Sequence, residues 1–392
     1  MTDGLTDHHS DLPRGDSPIT STVGQRQNKW LRSILVFALL YLFLIGIKLL
    51  ESGVLGLGDD TAGGLFDNIS NPIAALCVGI LATVLVQSSS VTTATIVALV
   101  STGQLPIETA VPMVMGANVG TTITSTLVAL THARQSEDFQ RALAAATMHD
   151  FFNLIAVAIL LPLEIATGFL QTTATWLADH LPGGSDATFD SPIESAVEWG
   201  AEFFTDTIGF LLPNDTTAHI AFILVGLGVI FITLTYITKS MKTLIEDRIE
   251  RSVNASLEKS GLVGMGVGMI VTFAVQSSSI TTSIIVPLVA SGLLLVRNAY
   301  PITLGANVGT TVTAFIAALA TNSTAAMSIA IVHLLFNMVG IAIIYPWNRI
   351  RYVPVILAET LAAIAVTRKW VAVGYTVIVF IMVPFIGILL LS

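Results

Sequence analysis

The chain carries one cysteine, Cys77, among 392 residues, so an intramolecular disulfide and a cysteine metal cluster are both excluded. Charge is scarce as well: 11% of residues are Asp, Glu, Lys or Arg, against about 25% in a soluble chain. Basic residues are missing where they would matter most. None lies between Lys48 and Arg134, and between Lys259 and Arg349 there is only Arg297. A formal net charge of −9 with no basic low-complexity tract speaks against nucleic acid as a partner. There is no Ser-containing GxSxG elbow of the hydrolase kind, and no basic start followed by an apolar core and a small-residue cleavage site, so no removable signal peptide is read.

What remains is apolar. At 53% hydrophobic residues and a mean hydropathy of +0.81, the composition is that of an all-α polytopic membrane protein. Residues 1–28 are polar, include His8 and His9, and read as a disordered tail. Seven apolar runs have the length that spans a bilayer at 1.5 Å per residue: 31–50, 106–130, 142–161, 217–238, 300–320, 326–347 and 371–391. The stretch 171–215 between the two halves reads as a long acidic loop, with Asp186, Asp190, Glu194, Glu198, Glu202 and Asp206 as a solvated surface. Residues 353–366 read as a short interfacial helix, ahead of the last span in 348–392.

Two segments break the pattern. Residues 72–101 and 262–291 are apolar but interrupted at the middle by Gln87-Ser88-Ser89-Ser90 and Gln276-Ser277-Ser278-Ser279. Polar groups left unpaired at membrane depth would cost several kcal/mol each, and the flanking arms are too short to cross. Both segments are therefore expected to be re-entrant helical hairpins. The spans that follow, 106–130 and 300–320, each contain Gly-Ala-Asn-Val-Gly-Thr-Thr, at 116–122 and 305–311. Two glycines around an Asn weaken a helix, so each span is expected to be broken at mid-membrane.

The resemblance between the segments is an internal repeat. A shift of 189 aligns residues 79–130 with 268–319 and gives 27 identities in 52 positions without a gap. Residues 29–170 and 216–347 thus form two units of span, hairpin, broken span and span. Three crossings and one hairpin per unit invert the second unit relative to the first. The basic residues agree: with the N-terminus inside, 16 of the 17 lysines and arginines fall on the inner side, Lys48 being the exception. That count also places the C-terminus outside. Inverted repeats with discontinuous helices bind near the midplane where the repeats meet.

The groups available there are hydroxyls, amides and helix N-termini. Such donors favour an oxyanion, and the candidates are Gln87, Ser88, Ser89, Ser90, Thr92, Gln276, Ser277, Ser278, Ser279 and Thr281. Without a fixed cation the charge must come from co-bound ions. Two unit charges 4 Å apart attract by roughly 4 kcal/mol at an effective dielectric of 20. Hard oxygen ligands suit sodium, and Gln87, Asn118, Thr121, Thr122, Gln276, Asn307, Thr310 and Thr311 supply them. Asp150, in His149-Asp150-Phe151-Phe152-Asn153, is an ionisable residue within a span, and with Asn153 it joins the sodium candidates. Its repeat counterpart is Leu334, while His149 and Asn153 match His333 and Asn337. The histidines read as helix-packing donors. No cofactor is expected beyond transported sodium.

The paired QSSS and GANVGTT motifs, together with the run from Arg141 through Asn153, resemble the type II sodium-dependent phosphate cotransporters, in a compact prokaryotic-type form, from about residue 31 to 391. The resemblance implies sodium-driven uptake of inorganic phosphate, mainly as the divalent ion, across the plasma (inner) membrane by alternating access. An Asp at position 150 implies electrogenic transport with three sodium ions. The outer-loop disulfide of the animal members cannot form here. Sodium- or proton-coupled symport of another oxyanion or a dicarboxylate is the alternative reading, followed by a membrane hydrolase or a phosphate sensor.

Overall fold

The computed structural model describes residues 19–58, 69, 71–132, 136–181, 192–212, 214–256 and 261–392. His8, His9, Arg14, Arg134, Asp186, Asp190 and Lys259 lie outside them, as do the side chains of Arg26, Lys29, Glu194, Arg248 and Arg251. All regular structure among the described residues is helical. The first helix, α1 (Ile19–Gly56), starts inside the segment expected to be a tail.

Seven helical segments are long and apolar enough to cross a membrane, at Trp30–Gly56, Ile107–Leu130, Ser136–Thr167, Asp215–Lys242, Val296–Leu319, Thr324–Ile344 and Trp370–Leu391. They coincide with the seven runs read from hydropathy. Between the first and second lie α2 (Pro72–Val86) and α3 (Ser89–Ser101), of 15 and 13 residues. At 1.5 Å per residue they reach roughly 20 Å, short of a hydrocarbon core of about 30 Å. Asn71 starts α2 by accepting from the Ile73 and Ala74 N–H groups, and Gln87 ends it in the left-handed region at φ 55°. Ser88 then caps α3, its Oγ accepting from Val91 N at 3.3 Å.

The second span comprises α4 (Ile107–Gly120) and α5 (Ile123–Leu130). The third, α6 (Ser136–Thr167), carries Asp150 near its middle. Next come α7 (Phe169–His180), α8 (Pro192–Leu211) and the long α9 (Asp215–Ser256). The stretch expected to be a loop is thus mostly helical. Two local features explain it. The Glu164 carboxylate accepts from Leu170 N at 2.6 Å and Gln171 N at 3.1 Å, starting α7 as an acidic group does at a helix N-terminus. On α8, Val197, Gly200 and Ala201 recur at helical spacing and are buried, with Val197 and Ala201 packing against Ile45 and Leu49 of α1. The Tyr41 hydroxyl also donates to Ala196 O at 2.7 Å.

The second unit repeats the first. Helices α10 (Gly261–Val275) and α11 (Ser278–Ala290) meet at Gln276, φ 57°. They precede α12 (Val296–Thr310), α13 (Val312–Leu319) and α14 (Thr324–Ile344). The chain ends in α15 (Val353–Thr367), α16 (Trp370–Val377), a π-helical turn Ile378–Met382 and α17 (Val383–Leu391). Helix α15 buries Val355, Ala358, Ala362 and Ala365, and packs along α6.

The glycines of the GANVGTT motifs do not break their helices. Helix α4 runs through Gly116 to Gly120 and α12 runs through Gly305 to Thr310. A Cβ at Gly116 would overlap the Leu76 carbonyl, and one at Gly79 the Met113 carbonyl. The equivalent overlaps in the second unit are Gly305 with Met265 O and Gly268 with Ile302 O. These four glycines let α2 lie on α4, and α10 on α12, at backbone contact, the small-residue packing used between membrane helices. The interruption falls later, at Thr121–Thr122 and Thr311, and is a tightened turn: Thr121 (φ −58°, ψ −31°), Thr122 (−75°, −17°) and Thr311 (−64°, −20°) keep right-handed dihedrals.

Candidate functional site

The two Gln-Ser-Ser-Ser segments meet. Ser90 Oγ donates to Gln276 O at 3.2 Å, and Thr313 Oγ1 donates to Ser90 Oγ at 3.4 Å. A second bridge joins Ser125 Oγ and Thr282 Oγ1 at 2.7 Å. Each segment is the start of a helix, so the N-termini of α3 and α11 come together at this contact. Their aligned dipoles, and the first-turn N–H groups other than the capped Val91 N, make the junction attractive to an anion. Ser89, Ser90, Thr92, Ser278 and Thr281 are buried there, Ser88, Gln276, Ser277 and Ser279 are half-buried, and Gln87 is exposed. Thr92 Oγ1 donates to Ser88 O at 3.2 Å, whereas its counterpart Thr281 pairs with Thr272 Oγ1 at 2.7 Å.

Behind the tips lies a buried amide and imidazole network that ties the units together. Asn118 Nδ2 donates to Asn153 Oδ1 at 3.3 Å and to Asn337 Oδ1 at 3.0 Å; Asn307 Nδ2 donates to Asn153 Oδ1 at 2.8 Å. The histidines cross over: His149 Nε2 pairs with Asn307 Oδ1, and His333 Nε2 with Asn118 Oδ1. An amide oxygen only accepts, so both rings carry their proton on Nε2 in this arrangement. Asn118 and Asn307 each keep a lone pair on Oδ1 for an ion. Asn153 Oδ1 accepts twice and keeps none in this conformation, so its side chain acts here as the joint between the two broken spans.

The four threonines after the glycines are disposed differently. Thr121 donates to Ala117 O (3.0 Å), Thr122 to Val119 O (3.0 Å), Thr310 to Ala306 O (3.0 Å) and Thr311 to Val308 O (2.8 Å). A hydroxyl that commits its proton to its own helix turns its lone pairs outward, which is the disposition a cation needs.

Asp150 is fully buried, at 0% exposure. Its Oδ2 accepts from the Tyr375 hydroxyl at 3.2 Å, and the Thr122 and Thr126 hydroxyls border the same carboxyl. Its Oδ1 has no hydrogen-bond partner among the described residues, nor does the buried Thr126 hydroxyl beside it. A buried carboxylate with an open oxygen among hydroxyl oxygens is a set of hard donors suited to a small cation. Two basic residues of the first unit are engaged elsewhere: Lys48 pairs with Glu51 at 3.1 Å and Arg141 with Glu137 at 3.0 Å.

Several of these participants are absent from the motif-based set. Thr126 had a signal, since it follows Thr122 by four residues and shares its helix face. Ser125 and Thr313 follow from the repeat only once the units are docked. Tyr375 has no local signal at all.

Comparison with known proteins is consistent throughout. The Na+/Pi-cotransporter family profile matches residues 42–175 and 230–392. The sodium-dependent phosphate transport protein 2A of Mus musculus is 34% identical, covering 93% of this chain and 68% of that protein. The protein named 2B is 32% identical in Pongo abelii and 31% in Homo sapiens, each covering 90% of this chain and 64% of the relative. No solved structure matches.

Proposed function

Since this chain belongs to the Na+/Pi-cotransporter family, we propose that it is a multi-pass membrane symporter that carries inorganic phosphate inward with sodium. The relatives are named as sodium-dependent phosphate transport proteins. The observation that carries the reading is the junction of two helix N-termini at Ser90 and Gln276, lined by hydroxyls from stretches, 72–101 and 262–291, that contain no Lys or Arg. A dianion there finds N–H and O–H donors but no fixed positive charge. It therefore binds well only when cations bind with it, and that is the physical basis of coupling.

Phosphate occupies the tips, contacting Gln87, Ser88, Ser89, Ser90 and Thr92 from one side and Gln276, Ser277, Ser278, Ser279 and Thr281 from the other. Sodium ions sit against Thr121, Thr122, Asn118 and Asp150 in the first unit and Thr310, Thr311 and Asn307 in the second, with the glutamine tips shared. Three sodium ions, one divalent phosphate and the Asp150 carboxylate sum to zero, so the loaded site is neutral and the cycle moves one net positive charge inward. The short helix pairs α2–α3 and α10–α11 act as re-entrant hairpins of two inverted units, supported by their length and by the 189-residue repeat. Alternating access follows from rocking one unit against the other about the common tips. The N-terminus faces the cytoplasm and the C-terminus the outside.

Radiolabelled phosphate flux into proteoliposomes, under imposed sodium gradients and membrane voltage, tests this directly. Sodium-dependent accumulation, faster at inside-negative voltage, is expected. Accumulation that persists when choline replaces sodium, or that sulfate or succinate competes away, would overturn the coupling or the substrate.

A further inference from the structure

The last span belongs to neither repeated unit, yet it touches the first unit at two functional places. Gly387 of α17 lies against Cys77 of α2, so closely that a Cβ there would meet Sγ at 2.6 Å. That helix is the arm leading to the Gln87 tip. On the far side of the π-helical turn Ile378–Met382, the Tyr375 hydroxyl donates to Asp150 Oδ2 at 3.2 Å. The Tyr375 ring is held between Phe151 (centroids 5.7 Å) and Phe380 (6.1 Å). Phe380 lies within the π-helical turn Ile378–Met382, a distortion that costs backbone regularity and recurs at functional positions. The second unit has no equivalent: Leu334 stands at the acid's position and Phe315 at that of Thr126.

We propose that Tyr375 is a positioning residue for the sodium ion at Asp150. A carboxylate can rotate about its last bond and offer either oxygen. With one lone pair of Oδ2 tied to the phenol, Oδ1 is the oxygen with both lone pairs open, and the carboxyl bordered by Thr122 and Thr126 presents it to the ion. The phenol thus orients the ligand, as outer hydrogen bonds commonly do around bound metal ions. The π-helical turn sets the ring at the height of the carboxyl, and the packing of Phe151 and Phe380 holds it there. The seventh span is then part of the ion site and not only a lipid-facing wall. This inference rests on the reading of Asp150 as a sodium ligand.

The test compares Tyr375→Phe, which keeps the ring packing and removes only the hydroxyl, with wild type in proteoliposomes. Phosphate uptake is measured across a sodium titration. A rise of about ten-fold in half-activating sodium is expected, with the maximal rate at saturating sodium and the half-saturating phosphate concentration unchanged. In an Asp150→Gly background the same substitution is expected to add nothing, because its effect runs through the carboxylate. Unaltered sodium activation, a fall in maximal rate alone, or an additive loss in the double variant would overturn the proposal. If Asp150→Gly itself leaves sodium activation and voltage dependence unchanged, the ion-site reading falls and the proposal with it. A normal Asp150→Gly result beside a silent Tyr375→Phe overturns the proposal alone.

Discussion

At corresponding positions of the two units, the first places Thr122, Thr126 and Asp150, and the second Thr311, Phe315 and Leu334. Around them almost everything else is shared: the left-handed glutamines, the glycine contacts at 79 and 116 against 268 and 305, and the crossed pairs His149 with Asn307 and His333 with Asn118. Duplication preserved the features that hold helices together, because backbone contact and amide pairing tolerate few alternatives. It did not preserve the acid. Two substitutions exchange a buried acid and a buried hydroxyl for apolar side chains without disturbing the frame, so the units share a scaffold and differ in the groups they bury.

The largest effect should come where the units are alike. Gly79→Val and Gly268→Val each force a branched side chain into a backbone carbonyl, and should destabilise by about 3 kcal/mol or more and to a similar extent. Thermal unfolding of the purified protein in detergent checks this; a mild loss in one unit alone would break the equivalence. Where the units differ, Leu334→Asp should cost about 3 kcal/mol, since the new carboxylate lacks the phenol and the second threonine. A fully active, voltage-altered Leu334→Asp transporter would mean that the second unit holds a latent ion site.

Next in size is the central network. Asn118→Ala and Asn307→Ala each strand a buried histidine N–H and should cost about 1 to 3 kcal/mol, similarly in both units. The melting temperatures of the two variants decide. The smallest expected difference separates the tips. Ser90→Ala removes a hydroxyl that bridges to Gln276 O and Thr313, while Ser279 makes no such bridge among the described residues. Half-saturating phosphate should therefore rise by about ten-fold for Ser90→Ala, near 1.4 kcal/mol, and by less for Ser279→Ala. Equal shifts measured by uptake would make the two tips interchangeable.

Much of this was legible in the linear chain. Seven crossings follow from run lengths, because a bilayer sets a fixed thickness and every backbone polar group in it must be paired within its own helix. The two polar plugs and their 189-residue repeat marked where each helix pair is interrupted, and the structure adds a left-handed glutamine at each place. Asp150 stood out because an acid in an apolar run has few structural excuses.

Other features depended on which helices came to lie side by side. The glycines of GANVGTT look like helix breakers in isolation, and only contact with the preceding helix turns them into packing surfaces. The stretch 171–215 looks like a loop by its acids, yet it gains helices from the Glu164 cap and a buried face against α1. Tyr375 is one hydroxyl in a lipid-facing span 225 residues from Asp150, and nothing local marks it. By itself the sequence determined lengths, periodicities and repeats, since these reflect the solvent around each segment. The tertiary structure alone decided which oxygen of Asp150 is left without a partner, since that depends on groups distant in the chain coming together in a buried place.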